Sequence, residues 1–305
     1  MSNPLVSVII PTYGRPDTLQ RAIQSVLNQT YESIEIIIVD DNNPESEARI
    51  QTEQVMQQYC TYPNILYLQH EQNKNGSAAR NTGFRASHGI FIMFLDDDDE
   101  FLPEKVSQQL ERLQSLDTSW AACYSAFIRK RNNEIVIRSA ETREGQLLVD
   151  ELMRNLFVHA GSNLMVRRAV VEEMNGFDES FERNQDVEFL VRILKKYKLA
   201  YVDYVGLVVH MHTNTVSKKN FHEITNDFIK KFADTIEQLP EQDVIRIYRM
   251  LYLQVIKYYA SKGKIGEIMK VMKDQHIPLV SVVSFFLYLV RRIVTKKAYG
   301  FMLKV

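Results

Sequence analysis

Four consecutive carboxylates, Asp96 to Asp99, followed by Glu100, come directly after the apolar run Ile90-Phe91-Ile92-Met93-Phe94-Leu95. The run reads as a strand buried in a core, so the fold must end a core strand where concentrated negative charge is tolerated. Like charges this close repel, and they stay protonated or splay apart unless a cation draws them together. Hard divalent cations such as Mg2+ or Mn2+ suit the task, because they take one or two protein carboxylates and fill their remaining positions with water and substrate phosphate. That chemistry points to a nucleotide phosphate. The competing reading is a solvated turn whose acids favour the dipole of a helix beginning near Pro103.

The rest of the first hundred residues says which fold could hold such a strand end. Apolar runs alternate there with helical patterns, the signature of βαβ units and a largely parallel sheet. Val6 to Ile10 is a strand. Pro16 stands near a helix start, and Leu19, Ala22, Ile23, Val26 and Leu27 repeat at helical spacing. Glu35 to Val39 is a second strand, and it ends in the polar loop Asp40-Asp41-Asn42-Asn43-Pro44. The carboxyl end of a strand is where open α/β sheets bind ligands. Ile65 to Leu68 is a third, shorter strand. A helix of small residues follows from Gly76 to Gly83, and Ile90 to Leu95 is the fourth strand.

Past Pro103 the pattern loosens into mixed α and β through 121–128, 134–138 and 163–166. A strong helix is expected to begin at Asp186, with Val187, Leu190, Val191 and Leu194 on one face and Lys195, Lys196 and Lys198 closing it with positive charge. Val205 to Val209 is strand-like, and everything from about Phe221 reads helical. The expected division is therefore a domain over 1–220, with a nucleotide half near 1–105 and a second half near 106–220, and a helical region over 221–305. The boundary falls between Ser217 and Asn226.

A net charge of −1 among 305 residues argues against a protein that coats nucleic acid. The two cysteines, Cys60 and Cys123, fit neither a zinc spacing nor a disulfide framework, and the start of the chain lacks the pattern of a secretory signal, so a cytoplasmic setting is expected. The most apolar segment, Ile277 to Val294, has 13 residues from Pro278 to Val290 before Arg291-Arg292. That is short for a bilayer span of roughly 17–25 residues. Flanking bases suit a helix lying in the membrane interface over 277–297, and packing against the helices of 241–274 accounts for it equally well.

Taken in order, Val6 to Tyr13 with Ser25-Val26-Leu27-Asn28-Gln29-Thr30, Ile38-Val39-Asp40-Asp41, Ala78-Ala79-Arg80-Asn81 within Gly76 to Gly83, and Phe94 to Glu100 resemble the inverting family 2 glycosyltransferases of bacterial polysaccharide assembly. The resemblance covers roughly residues 4–215. It implies an α/β, GT-A Rossmann-like mixed sheet flanked by helices, with a C-terminal helical extension. It implies a nucleotide-sugar donor, UDP-linked by expectation, and a glycan or polyprenyl-linked saccharide acceptor. The donor's base would pack on Pro11 and Tyr13, and Asp41 would read the uracil. Arg80 would lie beside the donor, offsetting phosphate charge or pairing with the acidic turn. The Asp-x-Asp motif aligns with Asp96-Asp97-Asp98, with a register ambiguous by one. Asp98 is then the expected ligand of Mn2+ or Mg2+, and Asp96 and Asp97 lie near ribose and diphosphate. Gly176-Phe177-Asp178-Glu179 before Asn184-Gln185-Asp186 matches the segment that carries the general base, which makes Asp186 the base, with Gln185 in place of the usual Glu. Helix capping is the competing role for Asp186. Some relatives use a histidine near His210 and His212 toward the metal. The two alternate along a strand, so at most one reaches the site, and His212 is preferred.

Neither a phosphate-binding Gly-x-x-x-x-Gly-Lys nor a Gly-x-Gly-x-x-Gly follows the first strand, which disfavours a P-loop NTPase or a dehydrogenase. Two other readings stand beside the transferase. A sugar-nucleotide pyrophosphorylase would want a Gly-rich basic loop where this chain has Pro11-Thr12-Tyr13-Gly14-Arg15. An inert module that binds a partner through the C-terminal helices would not need Asp98 and Asp186. The sequence does not decide the sugar, the linkage or the pathway within cell-envelope polysaccharide synthesis.

Overall fold

The computed structural model describes residues 3–181, 184–211 and 220–303. The chain forms two compact units. The first comprises residues up to Leu147 together with Val158–Met211, and the second joins Leu148–Phe157 to the helices of the C-terminal third.

The first unit begins as strand, helix, strand: β1 (Val6–Thr12), α1 (Pro16–Leu27), β2 (Ile34–Asp40), α2 (Glu47–Gln57), β3 (Ile65–Gln69), α3 (Gly76–Ala86) and β4 (Phe91–Phe94). These four strands run parallel in the order β3-β2-β1-β4, with Ile9 aligned on Ile37 to one side and Phe94 to the other. Helices on both faces leave the central strands no solvent face, which is why Val8, Ile9 and Ile10 and Ile36 to Val39 are all buried. α1 buries Leu19, Ala22, Ile23 and Val26, its predicted stripe. α3 approaches β1 so closely that a Cβ on Gly83 would lie 2.5 Å from the Ile9 side chain.

Beyond the acidic turn come β5 (Glu100–Phe101), α4 (Lys105–Gln114), β6 (Trp120–Arg131), β7 (Glu134–Ser139), α5 (Leu148–Leu152, in the second unit), α6 (Ala160–Asn163), β8 (Met165–Arg167), α7 (Arg168–Glu173), α8 (Gln185–Leu194) and β9 (Lys198–His210). β8 lies antiparallel between β4 and β6, and the long β6 also pairs with β7 and β9, with register shifts inside both of those pairings. The result is the mixed sheet flanked by helices that the resemblance implies.

Local readings are adjusted in three places. α2 was not anticipated: its buried side chains, Arg49, Thr52 and Met56, are mostly polar, so no apolar stripe marks it, and Ser46 caps it by accepting from the Arg49 N–H. α8 starts at Gln185 rather than at Asp186, entered from Asn184 in the left-handed region at φ 56°. Lys198 opens β9 instead of closing α8.

In the second unit, α9 (Phe221–Glu237) starts with a capping box between Asn220 and Glu223, and α10 (Glu241–Ser261), α11 (Ile265–Asp274) and α12 (Leu279–Thr295) follow. Phe228, Phe232 and Ile236 of α9 and Ile247, Leu251 and Ile256 of α10 are buried. α12 turns Val282, Phe285 and Tyr288 inward, and Phe285 and Tyr288 meet the Phe301 ring. The Asn155 amide donates to Phe301 O at 2.8 Å and accepts from its N–H at 2.7 Å, which ties Leu148–Phe157 to the end of the chain. Among the described residues, no helix is long and apolar enough to cross a membrane.

Candidate active site

At the carboxyl ends of the parallel strands lies a cleft of about 380 Å³. Pro11, Thr12, Tyr13 and Arg15 enter it from the loop after β1, Asp41 from the loop after β2, Asn73 and Asn75 from the loop after β3, and Asp96 and Asp97 from the turn after β4. Gly76, Ala79 and Arg80 bring the N-terminal turns of α3 to the same space, with backbone N–H groups and a positive dipole end. All six residues expected at the donor, Pro11, Tyr13, Asp41, Arg80, Asp96 and Asp97, line this cleft, and Tyr13 stands 56% exposed at its edge.

Asp41 is buried and fully engaged. One carboxylate oxygen accepts from His70 Nδ1 at 2.7 Å and the Lys74 N–H at 2.8 Å, and the other accepts from Asn73 Nδ2 at 2.8 Å and the Asn75 N–H at 3.0 Å. Four donors fill the sites that a carboxylate offers. Asp41 thereby fixes the 73–75 loop in the cleft wall. Its neighbour Asp40 binds Arg49 at 2.9 Å and Tyr67 at 2.6 Å beneath.

The acidic turn is compact, closed by the Asp99 N–H donating to Asp96 O at 3.0 Å, and the protein supplies a cation to each of its carboxylates. Asp96 meets Arg80 at 2.5 Å. Arg15 bridges Asp97, at 3.2 Å, and Asp98. Asp99 meets His159 Nε2 at 3.0 Å. Burial pushes the Asp97 carboxyl up to about 7, against the opposing pull of Arg15 and Thr12. Burial also acts to raise Asp99, but the hydrogen bond and charge of His159 outweigh it and hold that carboxyl below its ordinary value. His159 shifts in the reciprocal sense, its loss of solvation more than offset by Asp99, so its pKa is raised.

Ligand atoms of Asp96, Asp99 and His159 lie within 4.8 Å of one another. Asp99 Oδ1 is buried without a hydrogen-bond partner among the described residues. Oxygen and imidazole donors at this spacing, with one buried oxygen unsatisfied, fit a divalent cation. Asp98, the ligand expected from sequence, is drawn to Arg15 and does not join this group. His210 lies 3.2 Å from Glu100, and His212 lies outside the described residues.

The candidate base comes from the other side. Asp186 sits in the first turn of α8 and makes no hydrogen bond to another described residue. A Cβ built on Gly161, in α6, would lie 3.2 Å from Asp96 Oδ2 and 3.7 Å from Asp186 Oδ2, so the acidic turn and Asp186 converge on this one glycine. The approach to α8 is held by Asn81, which donates to Phe177 O at 2.9 Å and to Glu179 at 2.8 Å and accepts from the Phe177 N–H at 2.8 Å. Gly176 must be glycine twice over, with φ +67° and a Cβ position 2.3 Å from Asn81 Oδ1. Glu188, two residues beyond Asp186, is buried in a bidentate pair with Arg192 at 2.8 Å and is not available as a base.

Sequence reasoning missed Arg15 as a partner of the turn, and it missed His159 and Gly161 altogether. Arg15 stands beside Pro16 in a stretch read only as a turn. His159 and Gly161 belong to His159-Ala160-Gly161-Ser162-Asn163, a segment with no periodicity, whose Ser162 hydroxyl accepts from the Asp96 N–H at 3.0 Å.

The sequence model described as Glycosyl transferase family 2 matches residues 7–174. An uncharacterized glycosyltransferase of Rickettsia felis is 27% identical over 258 residues, which are 82% of this chain and 41% of that protein, so the chain spans about two fifths of that relative's length. The Escherichia coli UDP-Glc:alpha-D-GlcNAc-diphosphoundecaprenol beta-1,3-glucosyltransferase WfgD is 26% identical over 271 residues, covering 88% of this chain and all of that one. Staphylococcus aureus TarS, residues 1–349 in complex with UDP-GlcNAc, superimposes with a TM-score of 0.64 over 96% of this chain and 88% of that one at 17% identity, a likeness of fold.

Proposed function

This chain belongs to glycosyltransferase family 2, and from that premise we propose that it transfers a sugar, with inversion, from a UDP-linked donor to a hydroxyl of a lipid-linked saccharide. The observation that carries the reading is the convergence of Asp96 and Asp186 on Gly161, which brings a donor-side carboxylate and a base candidate without a hydrogen-bond partner among the described residues to one point beside the cleft. The donor class rests on two likenesses: the named reaction of WfgD uses UDP-Glc, and the TarS structure holds UDP-GlcNAc. The acceptor class rests on the diphosphoundecaprenol acceptor in the name of WfgD.

In this reading the uridine lies between Tyr13, Pro11 and the 73–75 loop. The resemblance gives Asp41 the uracil. Because its oxygens already accept four hydrogen bonds, we assign the base contacts to the loop that Asp41 holds. The diphosphate faces Arg15, Arg80 and the N-terminus of α3. Asp96, Asp99 and His159 would hold a divalent cation, Mn2+ or Mg2+, with Asp98 the alternative ligand if Arg15 moves away. Such a cation supplies charge neutralisation to the departing nucleoside diphosphate. Asp186 takes the proton of the acceptor hydroxyl as its oxygen attacks the anomeric carbon.

A screen of nucleotide sugars, each with Mn2+, tests the reading by donor hydrolysis and by transfer to a polyprenyl-diphosphate-linked N-acetylglucosamine. UDP-sugars are expected to stabilise the protein against heat and to be consumed. Stabilisation without turnover on any donor and acceptor would favour a binding module, and nucleotide-sugar formation from a sugar phosphate and UTP would favour a pyrophosphorylase.

A further inference from the structure

α12 buries Val282, Phe285 and Tyr288 in the second unit and leaves its opposite side bare. Val280, Val283, Leu287, Val290 and Val294 recur at intervals of three and four residues, the repeat of a single helical face, and they are between 50% and 76% exposed. A monomer in water rarely presents so continuous an aliphatic stripe. The charges around it have one sign. Residues 277–305 contain five basic side chains and no acidic one, in a chain whose net charge is −1. Arg291 is exposed beside the stripe, and Lys296 and Lys297 are exposed just past its end.

We propose that this face of α12 docks on an anionic lipid surface, with the aliphatic stripe entering the headgroup–acyl boundary and Arg291, Lys296 and Lys297 meeting lipid phosphates. The helix is too short to cross, and its inward side is already committed to Phe301 and its neighbours, so it lies along the interface. An aliphatic stripe edged by bases alone suits lipid better than a second copy, because two such faces would set like charges against each other. The proposal deepens the reading of a lipid-linked acceptor, since it would bring the enzyme to the surface where that acceptor resides. It stands or falls without any turnover.

The test is co-sedimentation of the full chain with vesicles of phosphatidylglycerol and phosphatidylcholine, against pure phosphatidylcholine, across a salt series. Deletion of α12 would expose the core around Phe301, so point variants on the bare face are used instead: Leu287→Glu with Val290→Glu, and separately Lys296→Glu with Lys297→Glu. The wild type is expected to pellet with anionic vesicles and less so at high salt, and each double variant to partition at least about ten-fold less. Unchanged melting temperature and unchanged UDP affinity would show that fold and cleft are intact. Equal pelleting of wild type and both double variants overturns the proposal. So does a wild type that ignores vesicles but is dimeric by light scattering and becomes monomeric with Leu287→Glu, because the face would then be covered by a second copy. Donor hydrolysis in solution is measured alongside, so a failed transferase reading and a failed docking surface give different results.

Discussion

Asp186 can be separated from the capping role that the sequence left open. α8 is entered one residue earlier, from Asn184, and the Asp186 carboxylate makes no hydrogen bond to another described residue. Asp186→Asn keeps size and shape but is not basic enough to take a proton. We expect initial transfer rates to fall on the order of 10²–10⁴ while UDP affinity and melting temperature stay put. Near-normal turnover would remove Asp186 from the chemistry. The cation is tested in the same spirit. Asp99→Asn and His159→Ala should weaken Mn2+ binding, read by paramagnetic resonance without any substrate, more than Asp98→Asn does. If Asp98→Asn is the damaging change, the cation belongs with Asp98 after Arg15 has been displaced. Arg15 was legible only as a residue in a turn, because its partners Asp97 and Asp98 lie more than 80 positions away.

At the scale of elements, what could be read was what repeats. β1, β2, β4 and α1 announce themselves by apolar runs or helical stripes, and the structure moves their ends by a few residues at most. α6 has four residues and no stripe, and the value of Gly161 exists only because β8 carries that segment between β4 and β6, a pairing that no local pattern encodes. Two glycine variants separate positioning from folding. Gly161→Ala places a methyl 3.2 Å from Asp96 Oδ2, a fit that forces a carboxylate to shift by a few tenths of an ångström. Turnover should drop on the order of 10-fold to 10²-fold with little change in melting temperature. Gly176→Ala meets both a left-handed backbone and the Asn81 carbonyl, so it should cost about 1–3 kcal/mol of stability by denaturant unfolding and misplace α8 as well. Equal stability of Gly176→Ala and wild type would contradict the packing described.

For the whole molecule, one pH-sensitive element of the first unit is Lys105. It is fully buried, donates to Asn163 Oδ1 at 2.5 Å and Ser125 Oγ at 3.2 Å, and sits 5.1 Å from the Phe101 ring centre. Burial lowers its pKa to about 7, from 10.5 in the unfolded chain. Between those values the unfolded state binds the extra proton, so the Lys105 contribution to stability rises with pH from about 7 towards 10 and is flat, at its lower level, below 7. Lys105→Met should remove that slope in urea melts taken across this window. A slope that survives the substitution would assign it to other groups.

The excursion of Leu148–Phe157 into the second unit bears on how the chain is made. During synthesis this segment leaves the ribosome with the sheet still incomplete, whereas Phe301, the partner that grips Asn155, follows 146 residues later. The Gln254 side chain of α10, which donates to Met153 O at 2.9 Å, is likewise made 101 residues after its partner. A chain stopped after residue 211 would keep Leu148–Phe157 without the helices it is grouped with, so no single cut separates the two units.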